Sequence, residues 1–157
     1  MQSLDLIDRK ILSELMSDAT VPIARLAHRV GLSQTPCWKR VQKLQAQGVI
    51  RGRVALVDEA RIGLSLTAFV EIVAAAHTPE WHESFLQALA LFPQVMEVNR
   101  MSGDPDYLLR VVLPDTAAYD TFYRALTDEI SVQRMTARFV MERVHSATVY
   151  PLNVTSH

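Results

Sequence analysis

In the first fifty residues the apolar positions recur at helical intervals three times in succession. Leu4, Ile7, Ile11, Leu12 and Leu15 predict a helix over roughly 5–17. Ile23, Leu26, Ala27 and Val30 predict a second, begun without a clear cap near Pro22 and closed by Gly31, a residue suited to a left-handed helix end. Ser33 is placed to cap a third, and Pro36 falls in its first turn, where amide hydrogens have no intrahelical partner. Cys37, Val41 and Leu44 keep one face of this helix apolar, and Gly48 ends it. The stretch "VIRGRVALV" that follows is rich in β-branched residues around a glycine and predicts a two-stranded wing. Two short helices joined by a glycine turn, the second followed by a wing, make a winged helix-turn-helix.

Beyond residue 65 the period changes. "LTAFVEIVA" predicts a strand at 66–74, and Thr78-Pro79 opens a helix with Trp81, Phe85, Leu86, Leu89 and Phe92 along one stripe. Strands follow at 95–101 and 107–113, separated by the turn "GDPD". A second helix turns Tyr119, Phe122, Tyr123, Leu126 and Ile130 inward. A last strand, about 132–143, alternates Met135, Ala137, Phe139 and Met141 on one face. The order β-α-β-β-α-β is ferredoxin-like, so the fold class is α+β: a winged helix-turn-helix at 1–53, a linker strand at 54–65, a ferredoxin-like domain at 66–150 and a tail at 151–157. Both helices of that domain cover one sheet face. The other carries Phe69, Val73 and Val140 beside Thr136 and Arg138, a half-apolar surface that predicts a two-fold homodimer.

Charge sharpens this picture. The chain of 157 residues has a formal net charge of −1, yet residues 1–53 hold nine Lys/Arg against four Asp/Glu. Residues 54–157 hold seven against thirteen. No acid occurs between Asp18 and Asp58, a span with Arg25, Arg29, Lys39, Arg40, Lys43, Arg51 and Arg53. With Cys37, Val41 and Leu44 turned inward, Gln34, Thr35, Trp38, Lys39 and Gln42 lie outward on the third helix. Gln34 and Thr35, near its start beside Ser33, are expected to read base edges of double-stranded DNA. Lys39, Arg40 and Lys43, with Arg51 and Arg53 on the wing, are expected against phosphates. Trp38 has two readings, a DNA contact or packing against the neighbouring helix.

Other features narrow the class. The most apolar run, "SLTAFVEIVAAA", contains Glu71 and is too short to span a bilayer. The start "MQSLDLIDRK" lacks a signal-peptide layout, and Cys37 is the single cysteine, so a reducing cytoplasm is the expected compartment. Cys37 reads as a small buried hydrophobe, and Asn153-Val154-Thr155 as a chance glycosylation sequon. His28, His77, His82, His145 and His157 show no metal-ligand spacing, and neither a hydrolase triad nor a phosphate-binding glycine loop occurs, so no cofactor, metal or catalytic residue is expected.

Taken together, "LDLIDRKILSEL", "LAHRVGLSQTPCWKRVQKLQAQGVI" and "SGDPDYLLRVVLPD" resemble the Lrp/AsnC, or feast/famine, family of transcriptional regulators over nearly the whole chain. The resemblance implies a non-enzymatic, promoter-binding protein whose dimers assemble into tetramers or octamers and respond to a small molecule, most often an amino acid. It implies an effector site between subunits at the "GDPD" turn. There the loop backbone of Gly103 and Asp104 would hold a carboxylate or ammonium and the Asp106 carboxylate would suit an ammonium, with Asn99, Met101, Arg138 and Val140 as walls. For Asp106 a purely local turn role stands as the other reading. Pro105 between the two acids, and "EISVQRM" without a Pro-Gly pair, depart from the family pattern. Two other functions use similar parts: a DNA-packaging protein of low specificity, and a tetrapyrrole decarboxylase. The decarboxylase would need a His or Arg cluster around a large cavity, and would not need the basic face.

Overall fold

The computed structural model describes residues 4–152, which form two compact units. Val57–Arg143 makes one; the chain up to Leu56, together with the chain from Val144, makes the other. The sequon at Asn153 lies outside the described residues.

The first unit is built on helices α1 (Leu6–Ser17), α2 (Ile23–Val30) and α3 (Gln34–Ala46). Asp5 caps α1 in a reciprocal box, its carboxylate accepting from the Asp8 N–H at 2.8 Å. Gly31, at φ +74°, ends α2 in the left-handed conformation that glycine adopts without a steric penalty. Ser33 stands at the start of α3 as expected, but its hydroxyl makes no capping bond. Ile11, Leu12, Leu15, Leu26, Ala27, Val30, Cys37, Val41 and Leu44 close one core, and Leu152 packs against it. The Thr148 hydroxyl donates to the Met16 carbonyl at 3.5 Å. These contacts associate the stretch 144–150, expected at the end of the second domain, with the first unit.

The expected wing and linker strand are not paired: no strand is formed over residues 49–65, and the only regular structure there is a 3-10 turn at Ala60–Ile62. Val54 and Leu56 are each more than three-quarters exposed. β-branched composition favours a pleated surface only when a neighbouring strand is present to pack against, and none is supplied here.

The second unit runs β1 (Leu66–Ala74), α4 (Pro79–Leu89), β2 (Val95–Arg100), β3 (Tyr107–Leu113), α5 (Thr116–Glu129) and β4 (Val132–Phe139). The antiparallel sheet has the order β2-β3-β1-β4, the ferredoxin-like arrangement. Ala68, Val70, Ile72, Leu109 and Val111 face Phe85, Leu89, Phe122, Leu126 and Ile130 in its core. Leu86 and Tyr123, expected inward, are 44% and 40% exposed; Ala88 is buried on the core side of α4 instead. β4 stops at Phe139, so Met141, expected to continue its alternation, is almost fully exposed.

The sheet's other face carries crossing ion pairs. Arg110 Nε donates to Glu97 at 2.9 Å, and Arg138 Nε to Glu71 at 2.8 Å. Phe69 stands between the two arginines in register and is 38% exposed.

Candidate DNA-binding face and effector cavity

Burial of Cys37, Val41 and Leu44 fixes which way α3 turns. Gln34, Thr35, Trp38, Lys39, Gln42 and Lys43 are all exposed on it, as are Ser33 before it and Arg51 and Arg53 after it. Trp38 is 53% exposed, so about half of its surface is open on this face. Among the described residues no carboxylate pairs with Lys39, Lys43, Arg51 or Arg53. Unpaired cations beside short polar side chains, on a helix with no acid of its own, suit a polyanion carrying hydrogen-bonding edges.

Arg40 differs from its neighbours. Its guanidinium donates to Asp5 Oδ2 at 2.6 Å and to Asp8 Oδ1 at 2.7 Å. Asp8 is the only buried charged residue among those described. The bonds to Asp5 and then Asp8 hold the Arg40 guanidinium above its ordinary range, while the Asp8 amide and Arg40 hold the Asp5 carboxyl below its own. The expected phosphate contact thus has two internal carboxylates in its place.

In the second unit a cavity of about 660 Å³ is lined by Val73, His77, Gly103, Asp104, Asp106, Gln133 and Arg134. The turn between β2 and β3 supplies three of these, and Gly103 adopts φ +104°, open to glycine and strained for other residues. Asp106 is held from both ends. Its Oδ2 accepts the Ala74 N–H at 2.8 Å, and its carbonyl accepts the Met101 N–H at 2.8 Å. Its Oδ1 lies 3.7 Å from His77 Nε2. Arg134 Nη2 donates to Asp104 Oδ1, and this pairing raises the guanidinium above its ordinary range.

Of the expected effector residues, Gly103, Asp104 and Asp106 come together on this cavity. Asn99, Met101, Arg138 and Val140 do not line it. Arg138 is engaged by Glu71, and the Val140 N–H donates to the Thr67 carbonyl at 2.9 Å. Sequence reasoning missed Val73, His77, Gln133 and Arg134 as cavity residues. Arg134 could have been found by counting back two from Thr136 on the same strand face; the register pairs it with Val73. A second cavity of about 390 Å³ shares His77 and Asp106 and adds Trp81, His82, Arg100 and Tyr107. There the Tyr107 hydroxyl and His82 Nδ1 stand 2.7 Å apart. Among the described residues no helix is long and apolar enough to cross a membrane.

Comparison with known proteins matches both parts of the chain. A winged helix-turn-helix DNA-binding model matches residues 4–51, and the Lrp/AsnC ligand binding domain matches residues 67–150. The chain is 41% identical to the glutamate uptake regulatory protein of Zymomonas mobilis over 99% of its own length and 94% of the relative's. It superposes on an AsnC family transcriptional regulator from Agrobacterium tumefaciens with a TM-score of 0.90 at 48% identity, covering 96% of this chain and 98% of that one. A Neisseria meningitidis transcriptional regulator in complex with L-methionine also gives 0.90, at 30% identity with the same coverage. These relatives are regulators, not enzymes. The chain belongs to the Lrp/AsnC family of transcriptional regulators, with a winged helix-turn-helix ahead of an Lrp/AsnC ligand-binding domain.

Proposed function

We propose that this protein is a cytoplasmic, dimer-based regulator that reads specific promoter sequences in double-stranded DNA and is tuned by an amino acid or related metabolite. The observation that carries this reading is the outward face of α3, where Lys39 and Lys43 have no carboxylate partner among the described residues and Gln34, Thr35 and Trp38 are open. Gln34 and Thr35 read bases, with Trp38 beside them; Lys39, Lys43, Arg51 and Arg53 set the register on phosphates, and Ser33 adds a hydroxyl near the helix start. Arg40 acts from behind that face, positioning α3 against α1.

The effector binds at the cavity bounded by Gly103, Asp104 and Asp106, whose lining brings the Asp106 carboxylate and the Arg134 guanidinium to one place. The methionine complex of the Neisseria relative supports an amino acid in this role. A second copy covers the sheet face that bears Phe69, Asn99, Arg138 and Val140, and dimers join further into tetramers or octamers. Ligand binding counts as regulation only where it favours one arrangement of reading heads by a free-energy difference.

Selection of bound duplexes from a random pool tests the reading. It predicts an enriched, two-fold symmetric site with half-sites about one helical turn apart. A pool that shows no enrichment after repeated rounds would contradict it.

A further inference from the structure

We propose that Arg134 is the carboxylate receptor of the effector cavity and that Asp104 fills that place, as an internal competitor, until a zwitterionic ligand displaces it. This rests on the reading of the 660 Å³ cavity as the effector site. Arg134 comes from β4 and Asp104 from the β2–β3 turn, and their side chains are joined directly beside the cavity. Both are more than half exposed, at 53% and 66%. An ion pair screened to that degree holds weakly, so a ligand carboxylate offering two oxygens to the planar guanidinium can take it over. The exchange leaves Asp104 facing water, where an unpaired carboxylate costs little.

Asp106 has the opposite role. Its Oδ2 is engaged by the Ala74 amide, whereas among the described residues Oδ1 has His77 Nε2 at 3.7 Å, beyond hydrogen-bond reach. That oxygen is available to an ammonium group. The lining therefore offers one anion receptor and one cation receptor, and asks for a ligand that carries both charges. An α-amino acid has them; a 2-oxo acid or a simple amine has one. Two aspartates two residues apart are thereby assigned effects of opposite sign.

Isothermal titration of the full-length protein with each of the twenty L-amino acids is the experiment. Any amino acid that binds is then titrated into Arg134→Gln, Arg134→Lys, Asp104→Asn and Asp106→Asn, each checked by circular dichroism for an unchanged melting point. Arg134→Gln and Asp106→Asn are expected to weaken binding about tenfold or more, with Arg134→Lys retaining part of it. Asp104→Asn is expected to tighten binding about two- to fivefold, because the competitor is removed. Weaker binding by Asp104→Asn, or unchanged binding by Arg134→Gln, would overturn the inference while leaving the effector reading in place. No heat from any of the twenty on the wild-type protein would overturn this inference and would confine the effector reading to a related metabolite.

Discussion

The Arg40 guanidinium donates to Asp8 Oδ1 at 2.7 Å, and this bond joins the middle of the third helix to the first turn of the first. Asp8 is 5% exposed, so its charge has little water to fall back on. A buried carboxylate needs a partner, and Arg40 is the cation supplied. The helix that carries the DNA-reading residues is thus held partly by a charge that sequence reasoning had placed on the DNA.

Replacing Arg40 should therefore act on stability first. Arg40→Ala is expected to cost the helical unit about 1–3 kcal/mol, reduced from a fully buried pair because Arg40 is one-third exposed. Lys39→Ala should leave stability nearly unchanged and flatten the salt dependence of DNA binding by about 0.9 log units for each lost phosphate contact. Titrations at several salt concentrations separate the two residues. A slope equally flattened by Arg40→Ala would return Arg40 to the phosphate contacts.

Asp5 gives this cluster a pH signature. The Asp8 amide and then Arg40 depress its carboxyl below the ordinary 3.8. A group whose pKa is lower folded than unfolded contributes stability above the unfolded value, and that contribution is lost as pH falls through the folded one. Urea midpoints of wild type and Asp5→Asn should differ at about pH 5, and the gap should narrow as pH falls below 3.8. A gap that stayed constant over that interval would show that the carboxylate's charge is not what stabilises the cap.

Trp38 and Gln34 should separate affinity from folding. Because Trp38 is half exposed, Trp38→Ala is expected to shift stability by about 0.5 kcal/mol or less while weakening DNA binding. Gln34→Ala should relax preference at one base pair, costing about 1–3 kcal/mol of discrimination there. Binding reduced equally on every sequence would remove Gln34 from the base-reading set.

Cys37 is fully buried, and burial raises its thiol pKa. The thiolate is the reactive form, so the native protein should label slowly with a disulfide reagent at mildly alkaline pH and completely once denatured. Fast stoichiometric labelling of the native protein would mean that α3 does not pack as described.

Much of this architecture was legible because punctuation and period agreed. Gly31 and Thr78-Pro79 mark helix boundaries by backbone chemistry alone, and the apolar spacing around Cys37, Val41 and Leu44 fixed the face of α3. What failed depended on distant partners. "VIRGRVALV" has strand composition but no adjacent strand among the described residues, so the wing did not pair. Leu86 and Tyr123 lie at the margins of their stripes, where a small rotation of the helix decides exposure. Arg40 reads as one more basic residue until α1 brings Asp5 and Asp8 to it from over thirty residues away. In the cavity, the turn "GDPD" was visible, but Arg134 entered through the β1–β4 register, which a single strand's sequence does not specify.

The most direct test of the central claim is the affinity for a selected duplex against a scrambled one of equal length, at one stated salt concentration. A sequence-reading regulator should bind the selected site about a thousandfold more tightly or better. A ratio near one would contradict it, and would make the basic face an instrument of DNA packaging.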